Sequence, residues 1–440
     1  MSNPPARRAP RPRRPLPVRS ALLAMLLGMA LAAGAAAADT PLTLSDALLA
    51  AQQRSRQLQA QDAAAAAARE MAIAAAQRPD PMLQFGISNL PIDGDERFSL
   101  TRSGMTMRSI GIRQEFTAEA KRQARGARFD RAAEIARAGA LVALAQLQQE
   151  AATAWLERHL LDRQVELLRE QRAEAALQVD AAEAVYRGGA GSQADLFAAR
   201  SAVAEIDDRI EQALLDSGSA RIRLLRWLGD SANRPLAAPP PLIAARLNET
   251  MLERQLERHP QYLLLSRQLA AAEAEVELAQ RNKQPDWSAE LMLSQRGPAH
   301  SNLMSLTVSV PLQWDQPNRQ DREVAAALAR VDAAQAERDE ALRDIVAQTR
   351  LMLLGLHHLN ERLALHDRSL QPLAASRVEA ALTDYRAGNG PLAAVLGARR
   401  GLIDLRIERL RLETERARLW ARLNYLIPDE DPTVAETKER

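Results

Sequence analysis

The chain has 440 residues, no cysteine, only 3% aromatics, and 58 basic residues against 56 acidic ones. Without cysteine there can be no disulfide, zinc-thiolate site, thiol nucleophile or lipid anchor on a cysteine. The positive balance comes from Arg7, Arg8, Arg11, Arg13, Arg14 and Arg19; without them the count is 52 basic against 56 acidic, a net −4, and with no long basic run and few aromatics nucleic acid is excluded as a partner.

Those arginines, the apolar run Ala21–Ala33 and the small residues Ala36-Ala37-Ala38 form an export signal over residues 1–38, with a mature start near Asp39. Ala, Leu, Arg, Glu and Gln dominate the mature chain, and all are strong helix formers. The predicted elements begin with an opening helix over Ser45–Gln77. The period then changes to two: Leu83, Phe85 and Ile87, then Ile110 and Ile112, alternate with polar residues or glycine. A long helix over Ala118–Val185 reaches a glycine-rich turn, and a return helix covers Ser192–Leu228. The proline-rich stretch Pro235–Pro241 is a linker.

The same order then recurs. A helix over Asn248–Lys283 precedes Leu291 and Leu293, then Leu306, Val308, Val310 and Leu312, again with period two. The second long helix is expected over Asn318–Asp384. Its heptad positions Leu328, Leu342, Leu356, Leu363 and Leu370, with Val324, Val331, Ile345, Met352 and Leu359, describe a coiled-coil seam. Pro372 is expected to kink it near its end. A return helix comes next, over Pro391–Ile427. The copies match residue by residue: Tyr186-Arg187-Gly188-Gly189-Ala190-Gly191 with Tyr385-Arg386-Ala387-Gly388-Asn389-Gly390, Pro79-Asp80-Pro81 with Pro285-Asp286-Trp287, and Arg122-Gln123-Ala124-Arg125 with Arg319-Gln320-Asp321-Arg322. The mature chain is thus two structural repeats, 39–241 and 242–440, related by pseudo-symmetry.

The four candidate strands have the length and dyad of tilted membrane strands; a small soluble β-layer with one buried face would show the same pattern. Four strands cannot close a barrel in lipid, where an open edge leaves backbone groups unsatisfied. If they enter a membrane, several chains must contribute, in a cyclic assembly.

No catalytic constellation is present. The six histidines are scattered, and adjacent His357 and His358 point to different sides of a helix. No phosphate-cradling Gly-Lys-Ser/Thr loop occurs, and no cofactor is expected. Met105, Met107, Met292 and Met304 near the strands carry soft sulfurs that suit Cu(I) or Ag(I), although methionine more often fills apolar gaps or faces lipid. Trp287 and Trp314 sit at strand ends, where aromatics favour membrane interfaces. Arg187 and Arg386 suit bonds to neighbouring helices, or solvated positions beside a turn.

The duplicated order of helix, strand pair, long helix, glycine turn and return helix resembles the TolC family of outer-membrane efflux proteins over essentially the whole mature chain. The turn residues carry it: Tyr186, Arg187, Gly189, Gly191, Ser192, Asp195 and Leu196 in the first copy, Tyr385, Arg386, Gly388 and Gly390 in the second. The second copy departs at Pro391 and Ala394, where the first has Ser192 and Asp195. The resemblance implies a mainly α fold with a membrane β-barrel: a homotrimer with a twelve-stranded outer-membrane barrel and a periplasmic α-barrel of helical hairpins. It also implies a passive, non-enzymatic exit duct whose turns meet a periplasmic adaptor and gate the tunnel, served by an inner-membrane pump of the resistance-nodulation-division type. Pro79-Asp80-Pro81, Asn89-Leu90-Pro91 and Met105-Thr106-Met107 resemble the heavy-metal branch, whose cargo would be metal ions. A periplasmic coiled-coil adaptor without its own pore is the other class compatible with long hairpins; such proteins usually carry one hairpin rather than two.

Overall fold

A computed structural model describes residues 40–189, 191–247 and 249–429; the export signal expected over 1–38 and the end of the second repeat lie outside the described residues. The opening helix is two helices, α1 (Leu44–Arg54) and α2 (Arg56–Ala75). Ser55 splits them: its extended backbone ends α1, and its hydroxyl accepts from Leu58 N to start α2. Strands β1 (Met82–Ser88) and β2 (Met107–Phe116) come next, then the uninterrupted 69-residue α3 (Glu119–Arg187) and its return helix α4 (Gln193–Leu228). At 1.5 Å per residue α3 is about 100 Å long.

The second repeat opens on the short α5 (Leu252–Leu256) and α6 (Pro260–Arg281), rather than on one helix from Asn248. Pro260 explains the break: it disfavours helical backbone at His259, which is extended (φ −62°, ψ 131°) and caps α6 by accepting from Gln261 N. After β3 (Trp287–Gln295) and β4 (Leu303–Ser309) comes α7 (Gln320–Leu365), a π-turn over His366–Leu370, and α8 (Gln371–Arg386). β4 stops before Val310 and Leu312, beside Pro311, which has no N–H for a ladder. The return helix α9 spans Leu392–Asn424, with Pro391 as its N-cap rather than in its first turn. Within the expected seam, Val324, Leu356 and Leu363 are buried, while Leu328 is exposed in the single chain.

The strands form one antiparallel sheet in the order β1-β2-β3-β4, so the copies meet along β2 and β3. Register puts the apolar residues on one face: Leu83 opposite Ile112, Ile112 opposite Leu291, Leu291 opposite Leu306, and Ala289 opposite Val308. The other face carries Gln84, Gly111, Met292 and Ser305 in register. The apolar face is bare: Phe85 is 73% and Leu306 71% exposed.

The main core lies midway along the helices. Leu44, Ala47 and Leu48 of α1 pack on Leu147, Ala151, Trp155 and Leu156 of α3, with Leu224 and Leu228 of α4 and Trp420 and Leu423 of α9. Trp155 Nε1 donates to Leu42 O (3.2 Å) and Trp420 Nε1 to Ala244 O (3.0 Å), pinning the segments that enter each repeat. The linker joins in: Leu42 N donates to Pro235 O (2.8 Å) and Ala237 N to Leu42 O (3.0 Å). No described helix is long and apolar enough to cross a membrane.

Candidate functional site

The two glycine turns have matching backbones. Gly189 and Gly388 both have φ +75°, a left-handed conformation at the end of a helix that favours glycine. Gly189 N donates to Tyr186 O (3.0 Å) and Gly388 N to Tyr385 O (3.1 Å). Gly191 and Gly390 serve close approach instead: a Cβ on Gly191 would lie 3.0 Å from Val185 Cγ1, and one on Gly390 3.2 Å from Asp384 Cβ.

The next helices start differently. Ser192 Oγ accepts from Asp195 N (3.1 Å) and donates to Asp195 Oδ2 (2.6 Å), and the carboxylate sits at the positive end of the helix dipole. Pro391 makes no side-chain cap. The turn ends nevertheless pack together: Ala182, Leu196 and Ala199 of the first hairpin bury against Leu392 and Val395 of the second, with Tyr385 half-buried beside them. Tyr186 stays exposed. Arg187 pairs with Glu183, one turn back on its own helix (3.4 Å), and Arg200 of α4 shares that carboxylate (3.7 Å). Arg386 makes no ion pair among the described residues and is exposed. The turn residues therefore gather at one end of the helical body, and among the described residues neither Arg187 nor Arg386 makes an ion pair to a neighbouring helix. Leu392 and Val395, which knit the tips together, carried no sequence signal beyond ordinary helical periodicity.

Halfway up, a charged layer went unread in the sequence because its partners are far apart along the chain. Glu157 is buried between Arg418 (2.6 Å) and Arg223 (3.3 Å), joining α3 to α9 and α4. Its neighbour Arg158 pairs with Asp162 (3.5 Å) and bonds to the Ala232 carbonyl, while burial pulls its pKa down. His159 stacks on Trp155 with centroids 5.9 Å apart and is held below the usual histidine range, chiefly by burial.

No group of three or more His, Cys, Asp or Glu among the described residues could hold a metal ion. The methionines do not converge: Met292 lies opposite Gly111 and Ser305, Met304 opposite Leu293 on the other face, and Met105 precedes β2. Trp287 stacks on Phe116 (4.1 Å, 13°) where β2 and β3 meet the helices, and Trp314 is 86% exposed.

Comparison with known proteins supplies the context for this geometry. Residues 251–427 match the family model described as outer membrane efflux protein. No curated protein matches. Among solved structures the chain is similar to the outer-membrane channel OprN (18% identity, 88% of this chain and 90% of that one, TM-score 0.71). It is likewise similar to the outer membrane protein VceC from Vibrio cholerae (17%, 88% and 96%, 0.70) and to CusC, described through transmembrane channel formation (16%, 88% and 92%, 0.70).

Proposed function

We propose, for a chain whose residues 251–427 match the outer membrane efflux protein family and whose fold is that of outer-membrane efflux channels, that it is the outer-membrane exit duct of a tripartite efflux system. The observation that carries this reading is the bare apolar face, continuous across all four strands, mounted on helices about 100 Å long. Lipid is the solvent that suits such a face, and water suits the helical body. β1 and β4 are left as open edges, which lipid does not tolerate. Three copies pairing edge to edge make a closed barrel of twelve strands and continue the hairpins into a tunnel.

The signal at 1–38 directs export, and the repeats 39–241 and 242–440 each supply two strands and one hairpin. The far tips around Gly189 and Gly388 lie in the periplasm. There they meet an adaptor, through Tyr186, Arg187, Ser192, Asp195 and Leu196 and through Tyr385 and Arg386, and an inner-membrane pump of the resistance-nodulation-division type drives the cargo. OprN, VceC and CusC resemble the chain almost equally, so the fold singles out no branch, and a metal cargo rests on the short sequence motifs alone.

Detergent-extracted outer membranes should yield a heat-sensitive trimer that forms channels in planar bilayers. Recovery as a soluble periplasmic monomer would overturn the reading.

A further inference from the structure

The apolar face of the sheet has two different ends. Nearest the helices it closes on the stacked rings of Phe116 and Trp287, in register on β2 and β3. At the far end, where β2 begins, the same face carries Arg108, in register with Ile87 on one side and Gln295 on the other. Side chains alternate along a strand, so Arg108 shares its face with Ile110 and Ile112. Among the described residues it is the one charge on that face of the four strands.

From Arg108 to Phe116 the strand advances about 26 Å, or about 20 Å of membrane depth at the usual strand tilt. The apolar band of an outer-membrane barrel is about 25 Å tall. A face fixed at its aromatic end therefore brings the guanidinium close to the opposite headgroup level, and the long arginine stem covers the remaining few ångströms. A cation in the middle of the band would cost about 2–4 kcal/mol, and near the interface only about 0–1 kcal/mol.

Position alone would make Arg108 an interfacial anchor; its surroundings make a site. Beside it lies an open groove of about 360 Å³, whose lining includes Ile110, Leu293, Gln295 and Asn302. Arg108, Ile110, Leu293 and Gln295 belong to the apolar face by register, so the groove opens on that face rather than on the β1 or β4 edge. Pairing of edges between copies therefore leaves it open to lipid. Arg108 Nε is buried with no hydrogen-bond partner among the described residues, a deficit of about 1–3 kcal/mol that an acceptor removes. The exposed amides of Gln295 and Asn302 add donors at the rim, and among the described residues no carboxylate lines the groove. A phosphate, with several acceptor oxygens, matches a guanidinium fork and two amides. Ile110 and Leu293 continue the groove onto bare apolar surface, which a free ion would not use and an acyl chain would.

We propose that this groove binds the phosphate of an outer-leaflet lipid, with Arg108 on the phosphate oxygens, Gln295 and Asn302 at the rim, and the acyl chains laid along Ile110 and Leu293. The proposal rests on the exit-duct reading, which sets the face in a membrane and turns the far strand ends outward. One such headgroup on each protomer fixes the depth at which the barrel sits.

The test is native mass spectrometry of the full-length protein in a non-ionic detergent, after a gel has shown a heat-sensitive trimer. Bisphosphorylated lipid A should be retained by the parent, one per protomer, and about tenfold less by R108Q, the effect expected from losing a single charge-assisted bond. The same lipid stripped of its phosphates should bind the parent as weakly as R108Q binds the intact one. Excess inorganic phosphate should not displace the lipid; full displacement would make the groove an ion site and overturn the lipid assignment. R172Q breaks the exposed Arg172–Asp207 pair (2.6 Å) on the helical body and should bind like the parent, and an equal loss there would reduce the effect to diffuse charge. Parental retention by an assembled R108Q trimer would remove the site. If R108Q does not assemble, N302D decides: it sets a carboxylate at the rim, outside the strand ladder, and parental retention in it would overturn the proposal. A channel-forming parent trimer that retains no lipid would overturn this site alone, whereas a soluble periplasmic monomer would overturn the duct reading and the site with it.

Discussion

The first hairpin is anchored where the second is interrupted. α3 buries Trp155, Leu156 and Leu168 at 0–1% exposure, carries the charged layer around Glu157, and has no break in 69 residues. The second long helix has a π-turn, a proline two residues after it, and a last segment with nothing buried. Both copies keep the same glycine turn, with φ +75° in each. Duplication thus preserved the geometry that reverses the chain and let the packing between the reversals diverge. One copy stayed continuous; the other is interrupted.

The largest expected effect tests the continuous copy. Trp155 is fully buried and its indole holds Leu42 O, so Trp155→Ala should cost about 3–5 kcal/mol. Leu373→Ala in the exposed last segment of the second helix should change stability by at most about 0.5 kcal/mol. Comparable losses in denaturant melts of the two variants would erase the distinction.

Next in size is a pH effect at one helix cap of the second repeat. In the first repeat α2 is capped by Ser55, which does not titrate; in the second α6 is capped by His259, which burial pulls from 6.5 to about 4. The folded protein keeps His259 neutral while the unfolded chain takes up a proton. The stabilisation is therefore complete above pH 6.5 and is lost as pH falls toward about 4, to a total of up to about 3 kcal/mol. His259→Asn keeps a capping side chain and should flatten stability over that window; an unchanged pH profile would show that another group dominates.

The turns should respond alike in energy and unlike in function. A β-branched side chain at φ +75° is strained by about 1–2 kcal/mol, and no atom lies within 4 Å of the added Cβ at either Gly189 or Gly388. Gly189→Val and Gly388→Val should lower the melting temperature equally, while Gly388→Val, on the interrupted hairpin, impairs export more. Wild-type export by Gly388→Val would take that turn out of the gate.

The smallest effect is Arg172→Ala, which breaks an ion pair with both partners nearly half exposed. It should shift stability by less than about 1 kcal/mol. A loss well beyond that would mean the first hairpin depends on its surface charges rather than on its core.

Much of this architecture was legible in the sequence because the signals are local. Alternation at Leu83–Ile87 and Ile110–Ile112 marked strands, Gly189 and Gly388 marked reversals, and Ser192 with Asp195 marked a helix start. Pro372 announced a disturbance, though not its form, which is a π-turn over His366–Leu370. Ser55 and the His259-Pro260 pair split helices expected to be whole, since a capping side chain outweighs a helical composition on either side.

By itself, the sequence determined the duplicated order of elements, their approximate ends, and the apolar dyad of the strands. These depend on backbone sterics and on periodicity within a few residues. Only the tertiary structure decided that β2 meets β3 across 175 residues to make one apolar face, that Glu157 meets Arg418 across 261, and that three polar atoms around His366 stay buried without partners among the described residues. Each depends on which distant segments share a neighbourhood, and burial and pairing energies are set by that neighbourhood rather than by the residue type.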